Sequence, residues 1–109
     1  GKTDPAVGAV VNASVRHRDP LKKVARIRKR LPDENGRAVY LVDFPDGERG
    51  TFMAPESGLR RLTPGAVHRY LGLLDRYRGS RVLPDDGPDL ERVKARVRQW
   101  VEKAPTEKR

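Results

Sequence analysis

The stretch that most constrains the fold is residues 37–62, RAVYLVDFPDGERGTFMAPESGLRRL, because it holds two short runs of strand character around a tight turn. Apolar side chains alternate along residues 38–44, which is the period of a strand with one face on a core. The Pro-Asp-Gly at residues 45–47 favours a turn, since proline fixes φ, aspartate hydrogen-bonds its own backbone and glycine tolerates positive φ. Residues 50–54 supply the return strand. The stretch therefore predicts a β-hairpin, which we expect to lie at the heart of a small barrel.

Two segments before this hairpin also alternate with a period of two. The first is residues 9–15, AVVNASV, and the second is residues 23–31, KVARIRKRL. Residues 32–36, PDENG, are rich in turn formers and lead into the hairpin. After the hairpin, residues 59–62 are expected to close the barrel floor, with the two leucines inward and the two arginines outward. The sequence thus predicts a small antiparallel β-barrel of about five strands over residues 8–62.

The hydrophobic period changes to that of a helix at residue 63, where Thr-Pro supplies a favoured N-cap and a favoured first helical residue. Apolar residues recur at helical spacing through residues 67–77, and Gly79 is expected to end this helix. A second amphipathic helix is predicted over residues 88–104. The predicted fold class is therefore β+α, with the barrel followed by a helical hairpin over residues 63–104.

The two ends lack apolar anchors, so residues 1–7 and 105–109 are expected to be disordered. The chain begins with Gly1 rather than Met, which is typical of a processed protein or of a piece of a longer one. It contains no cysteine, which excludes disulfides and thiolate metal sites. No run approaches the roughly 18 apolar residues of a membrane span, so we expect no membrane partner and a cytoplasmic location, on the nucleoid if the protein binds DNA.

The net charge of +9 and the sequence pI near 10.5 point to a polyanionic partner. Polyanions are steered toward such a surface and release counterions when they bind to it, so nucleic acid is the first partner to consider. The alternative is a basic surface that serves solubility alone. Charge by itself does not separate the two.

A row of arginines within residues 23–31 gives this charge a geometry. Strand alternation places Ala25, Ile27 and Leu31 on one face, with Lys29 as an exception. It places arginines on the other face at every second residue, about 6.6 to 6.8 Å apart. That spacing is close to the repeat of phosphates along a nucleic-acid strand, although any exposed strand face needs polar residues. The three arginines are Arg26, Arg28 and Arg30.

Catalytic and metal-binding patterns are missing from the sequence, so we do not expect an enzyme or a cofactor. His17 and His68 are its two histidines, and neither stands in a catalytic or metal-binding motif. No glycine-rich phosphate loop or nucleophile elbow occurs. Asp85, Asp86 and Asp89 lack the glycine and the distal glutamate of a calcium loop. The six aromatic residues fall mostly at core positions, which argues against a methyl-lysine cage or a base-stacking platform.

Residues 8–62 resemble the Tudor-like, or SH3-like, small barrels appended to bacterial helicases and Swi2/Snf2-type ATPases. The matching segments are the opening GAVV, the KVARIRKR strand, the YLVDFPDGERG hairpin and the closing PESGLRRL. The resemblance implies an accessory module that touches duplex DNA or RNA polymerase and leaves catalysis to another domain, for instance the rest of a larger ATPase. The charged insertion between the first two strands and the two C-terminal helices lie outside it.

Two functions follow as hypotheses. In the first, the protein is a non-catalytic module that contacts a nucleic-acid backbone, duplex DNA in preference to RNA, as an accessory part of a DNA-processing or transcription machine. In the second, it docks onto an acidic protein such as RNA polymerase, through the helix pair or through exposed hairpin residues Glu48, Arg49 and Thr51. The candidate nucleic-acid contacts are Arg16, Arg18, Lys22, Lys23, Arg26, Arg28, Arg30, Arg60, Arg61, Arg92 and Arg96, with Lys103 on the same helix face as the last two.

Overall fold

A computed structural model of the protein describes residues 5–13, 18–55 and 58–105. One antiparallel sheet curls into a half-barrel, and its strands lie side by side in chain order. The strands are β1 (Val10–Asn12), β2 (Val24–Glu34), β3 (Arg37–Asp43) and β4 (Arg49–Met53). A 3₁₀ helix (Pro20–Lys22) precedes β2, and two helices follow the sheet, α1 (Pro64–Arg76) and α2 (Leu90–Lys103). The predicted β+α class is confirmed.

Strands β3 and β4 form the predicted hairpin. The amide of Gly47 donates to the carbonyl of Phe44 at 3.0 Å, and the amide of Phe44 donates to the carbonyl of Glu48 at 2.7 Å. Gly47 has a φ of 94°, which a side chain rarely permits. The return strand lies at 49–53, one residue earlier than predicted.

The turn between β2 and β3 is tighter than the sequence suggests. Asn35 and Gly36 have φ values of 51° and 75°, the pair of positive angles that a two-residue type I′ turn requires. β2 therefore continues through Pro32 and Asp33, which were predicted to belong to the turn. The pairing with β3 is irregular there, between Leu31 and Glu34, and such irregularities are where a strand accommodates proline.

The sheet buries apolar side chains on both faces near β1 and β2. The inner cluster lies on one face and contains Ala9, Val11, Ala13, Ala25, Ile27, Tyr40, Val42 and Ala54. The helix-side cluster joins the opposite face to both helices and contains Val10, Leu21, Val24, Val67, Tyr70, Leu74, Leu83, Leu90, Val93, Val97 and Trp100. Adjacent residues such as Val10 and Val11 thus enter different cores, as strand alternation requires. The two helices share a core with the sheet.

A segment after the hairpin pairs with the free edge of β1. The amide of Asn12 donates to the carbonyl of Arg60, and the amide of Leu62 donates to the carbonyl of Val10, both at 3.0 Å. A single bridge joins Val11 and Arg61 here, which falls short of a fifth strand. The expectation that both leucines close the barrel floor is wrong, because Leu59 packs on the inner cluster whereas Leu62 packs on the helix-side cluster.

The first helix begins as predicted. The Oγ1 of Thr63 accepts from the amide of Ala66 at 3.1 Å, and Pro64 is the first helical residue. The helix ends at Arg76, three residues before the predicted stop at Gly79, and Tyr77 is 39% exposed rather than part of the core.

The second helix has its N-cap at Asp89, whose Oδ1 accepts from the amides of Glu91 and Arg92. The loop before it carries a core residue that sequence reasoning missed. Leu83 is only 2% exposed, because the backbone hydrogen bond from the Gly79 amide to the Leu83 carbonyl folds the loop back onto the helices.

Some expectations lie outside the described residues. One is the disorder expected for residues 1–4 and 106–109. The others are the end of the first predicted strand, at residues 14 and 15, and the candidate contact Arg16. In the part of the chain that is described, neither helix is long and apolar enough to cross a bilayer.

Candidate nucleic-acid interface

Three arginines converge on the carboxylate of Asp43. The Nη2 of Arg26 lies 3.0 Å from Oδ2, the Nη1 of Arg28 lies 3.2 Å from Oδ1, and the Nε of Arg49 lies 3.7 Å from Oδ1. The carboxylate side chain is 10% exposed, whereas those of Arg26 and Arg28 are more than one third exposed and that of Arg49 is 65% exposed. A nearly buried acid therefore holds three guanidiniums at the surface.

A β-bulge brings Arg26 and Arg28 to the same carboxylate. Ile27 pairs with Val42 and Lys29 pairs with Leu41, so Arg28 is an extra residue in β2. A bulge redirects side chains locally and changes the alternation beyond it.

Arg30 consequently lies on the other face of the sheet. It is paired with Tyr40, a residue of the inner cluster, whereas Arg26 is paired with Asp43. Directly paired residues share a face. Its guanidinium lies over the Tyr40 ring, 5.3 Å from the centroid, and pairs with Asp33 at 2.6 Å. The predicted row of three arginines on one face is therefore wrong, and Leu31 is likewise on the face opposite to Ile27.

Helix α2 lies against this group of arginines. The guanidinium of Arg26 stacks over the Trp100 ring at 5.0 Å from the centroid, and Trp100 is itself buried in the helix-side cluster. One turn earlier, the Nη1 of Arg96 donates to the carbonyl of Pro45 at 2.5 Å, two residues beyond Asp43. We call Arg26, Arg28, Arg49 and Arg96 the arginine cluster.

The exposed face of α2 extends this positive surface. A shallow depression of about 510 Å³ on the helix is lined by Arg92, Arg96 and Arg98, with Glu102 as its one acid among the described residues. Arg92 and Lys103 are exposed and fall at helical spacing from Arg96, as predicted.

Lys22 is a predicted contact that the structure places in an ion-pair network. Its Nζ lies 3.2 Å from Asp46, contacts Glu48, and sits 4.5 Å from the centre of the Phe44 ring. Partial burial lowers the pKa of Lys22, but the hydrogen bonds and charges of Glu48 and Asp46 outweigh it and raise that pKa overall. This ammonium is therefore already neutralised by its neighbours.

The remaining predicted contacts are dispersed. Arg18 and Arg60 are exposed, and the Nη2 of Arg61 donates to the carbonyl of Pro105. Lys23 lines a groove beside α1. The predicted contacts therefore lie on several separate surfaces, and three of them, Arg26, Arg28 and Arg96, belong to the arginine cluster.

Asp43 was not predicted as the centre of the site, and Arg49 was predicted to serve protein docking instead. A signal was present, because Asp43 and Arg49 flank the predicted turn and an antiparallel hairpin pairs such residues directly. Among the described residues, no group of three acidic or histidine side chains could hold a metal ion.

Comparison of the chain with family models, with curated proteins and with solved structures gives no match. The resemblance of residues 8–62 to Tudor-like barrels therefore stays a prediction.

Proposed function

We propose that this protein is a non-catalytic module that binds the sugar-phosphate backbone of duplex DNA through the arginine cluster and the adjoining face of α2. One observation carries the proposal: a single nearly buried carboxylate, Asp43, holds three partly exposed guanidiniums. Asp43 offsets one of the three positive charges, and Arg96 adds another at the edge. The cluster thus keeps a local excess of positive charge.

Guanidiniums suit phosphate oxygens because each presents several N–H donors in a planar fork. A flexible arginine loses side-chain entropy when it binds a phosphate. Here the ion pairs with Asp43 and the stacking of Arg26 on Trp100 already restrict the side chains, so less entropy is lost on binding. The cluster is therefore better prepared for an anion than isolated surface arginines are.

The arrangement favours backbone contact over base readout. The arginines lie on a sheet face and along the side of a helix, and contacts of this kind position a protein on nucleic acid without reading its sequence. Duplex DNA is preferred over RNA on the resemblance to barrels of DNA-dependent motors. The same resemblance supports an accessory role in a DNA-processing or transcription machine, with the chain in the cytoplasm or on the nucleoid.

The finer fold assignment, an SH3-like barrel of five strands, belongs to this proposal. It is supported by the pairing of residues 60–62 with the free edge of β1, which adds a fifth segment beside the four strands. Closure of a curled sheet proceeds by pairing at its edges.

The test is a titration of fluorescent duplex DNA at about 50 and 200 mM salt, where several phosphate contacts predict a loss of orders of magnitude in affinity. The diagnostic variant is Arg28→Ala with Arg49→Ala, which keeps Arg26 as a partner for Asp43. The matched control is Arg69→Ala with Arg76→Ala, which removes the same charge from α1. We expect the first pair to reduce the salt slope by about two units and the control to change it far less.

Two results would overturn the proposal. Absence of binding at the lower salt would exclude the DNA function. An equal loss for both pairs of substitutions would show that total charge, rather than the cluster, governs binding.

The second function, docking onto an acidic protein such as RNA polymerase, is a separate proposal. It is supported by the position of Arg49 and Thr51 on β4, which is an edge strand of the sheet, and both residues are exposed. Because Arg49 also belongs to the arginine cluster, the discriminating variant is Thr51→Gln, which enlarges an exposed side chain on the edge strand without adding charge. We expect this variant to impair capture of the polymerase and to leave the Arg28-dependent DNA affinity within about twofold, since it leaves the charge of the arginine cluster unchanged.

A further inference from the structure

A second concave surface runs along α1, apart from the arginine cluster. It has a volume of about 610 Å³ and lies between one side of α1 and the ends of β1 and β2. Along the helix it extends from Ala66 to Arg76, which is about 15 Å at the rise of an α-helix. We call it the α1 groove.

The floor of the α1 groove is apolar and its rim is positive. Leu62 and Leu73, which are partly exposed, supply the apolar part, and the buried Val24 also lines it. His68, Arg69, Arg76 and Lys23 supply the basic part, and none of the described residues that line the groove is acidic. Within the described chain, Arg69 and Arg76 make no hydrogen bond or ion pair, in contrast to the arginines around Asp43.

Gly72 is an independent sign that something approaches this face. It is exposed in the middle of α1, where glycine costs about 0.5 to 1 kcal/mol relative to alanine. Apart from its chain neighbours and the nearby backbone of α1, no atom of the described chain lies within 4 Å of the position that a Cβ at Gly72 would take. Packing inside the described fold therefore does not require the glycine, whereas close approach of a ligand to the helix backbone would.

We propose that the α1 groove is a docking site for an acidic amphipathic helix of a partner protein, with its apolar side chains on the floor and its carboxylates on the rim. Arg69 and Arg76 are seven residues apart, about 10.5 Å along the axis, so acids seven residues apart on the incoming helix match them. This inference rests on its own residues and does not depend on the DNA-binding function.

A peptide suits the groove better than a nucleic acid does. An apolar floor offers little to a sugar-phosphate backbone, whose recognition is dominated by charge. Among the described residues of the lining, Tyr70 is the one Phe, Tyr or Trp, and at 6% exposure its ring is not open for base stacking. Its hydroxyl is also occupied, because it donates to the carbonyl of Pro20 at 2.8 Å.

The probe is a fluorescein-labelled synthetic peptide of about 14 residues, roughly 21 Å as a helix, with leucines along one face and glutamates on either side. Two control peptides replace the glutamates by glutamine or the leucines by serine. Binding to the full chain is followed by fluorescence anisotropy. We expect the glutamate and leucine peptide alone to bind, since the groove needs both parts.

Variants of the protein test whether the peptide binds in the α1 groove. Arg69→Glu with Arg76→Glu should weaken binding about tenfold, whereas Arg81→Glu with Arg98→Glu, the same charge change at exposed sites outside the groove, should weaken it by about twofold or less. Gly72→Gln fills the groove without adding charge and should also weaken binding about tenfold. Its control is Ala95→Gln on the exposed face of α2, which should leave the affinity unchanged. Circular dichroism verifies that each variant is folded.

Three results would overturn the proposal: equal losses for the two charge-reversed pairs, unchanged binding in Gly72→Gln, or equal binding of the glutamine peptide. A loss of duplex DNA affinity that is confined to Arg69→Glu with Arg76→Glu would also overturn it, because the groove would then be part of a nucleic-acid surface. If the protein does not bind DNA but the peptide binds as expected, the DNA function is excluded and this inference still holds.

Discussion

Arg30 lies on the opposite face of the sheet from Arg26, although both belong to β2 and are four residues apart. Arg26 is paired with Asp43 and stacks on Trp100, whereas Arg30 is paired with Tyr40 of the inner cluster. The bulge at Arg28 causes this reversal. A run of alternating arginines is thereby divided between two surfaces with different neighbours.

This division predicts unequal effects of single arginine substitutions on DNA binding. Arg28→Ala should weaken binding at low salt by several-fold, since one charge-assisted phosphate contact is typically worth about 1 kcal/mol or more. Arg30→Ala should change the affinity by less than about twofold, because Arg30 faces away from the cluster and already pairs with Asp33. The measurement is a duplex DNA titration with both variants at one salt concentration. Equal losses would contradict the assignment of faces.

A second prediction concerns the hydrogen bond that joins α1 to the 3₁₀ helix. The buried hydroxyl of Tyr70 donates to the carbonyl of Pro20 at 2.8 Å, and burial raises the pKa of Tyr70 well above its usual value, so the hydroxyl stays a donor. Tyr70→Phe should lower the free energy of unfolding by about 1 kcal/mol. The cost stays moderate because the amide of Lys23 also donates to this carbonyl, at 3.3 Å. Urea unfolding measures it, and an unchanged midpoint would contradict the prediction.

Hydrophobic periodicity predicted where the helices and strands form better than it predicted which face of a strand each side chain occupies. Val67, Tyr70 and Leu74 are buried as the helical pattern requires, and the hairpin around Gly47 formed as its turn residues predict. These features depend on local geometry. The bulge in β2 was not predicted, although Lys29, next to the bulged residue, broke the alternation and was the available signal. A bulge is fixed by pairing with another strand, which local pattern does not contain.

The candidate site shows the same limit. Arg26, Arg28 and Arg96 were predicted as contacts from their spacing within single elements. What joins them is Asp43 and the backbone carbonyl of Pro45, which come from a different strand and a turn. Long-range pairing of this kind depends on how the hairpin packs against β2 and α2. The convergence of these arginines can therefore be seen only in the folded structure.

Gly72 gives a prediction about stability that is separate from its proposed role in docking. Gly72→Ala should raise the free energy of unfolding by about 0.5 to 1 kcal/mol, because alanine loses less backbone entropy in a helix. No atom of the described chain lies near enough to the new methyl group to oppose this gain. Thermal unfolding of the variant measures it. A lower melting temperature would show that the helix backbone at this position is packed more tightly than the structure indicates.

The ion network between the helices predicts how stability changes with pH. The carboxylate of Asp75 accepts from the Nζ of Lys94 at 2.9 and 3.0 Å and from Arg78 at 3.0 Å, and these hydrogen bonds hold the pKa of Asp75 below its ordinary value of 3.8. Because the folded pKa lies below the unfolded one, the stabilisation is complete above pH 3.8 and is lost as the pH falls through the folded pKa.

Asp75→Asn should therefore unfold more easily than the natural sequence at neutral pH, and the difference should shrink below pH 3.8. The substitution removes the main partner of Lys94, whose side chain is 11% exposed, and leaves Glu91 at 3.7 Å as its remaining ion pair. Urea unfolding at pH 7 and at pH 3 measures the effect. Asp86→Asn, which changes an exposed loop acid in the same way, is the control and should destabilise the protein less than Asp75→Asn at pH 7. A constant difference between Asp75→Asn and the natural sequence at both pH values would mean that packing, rather than the charge on Asp75, joins the two helices.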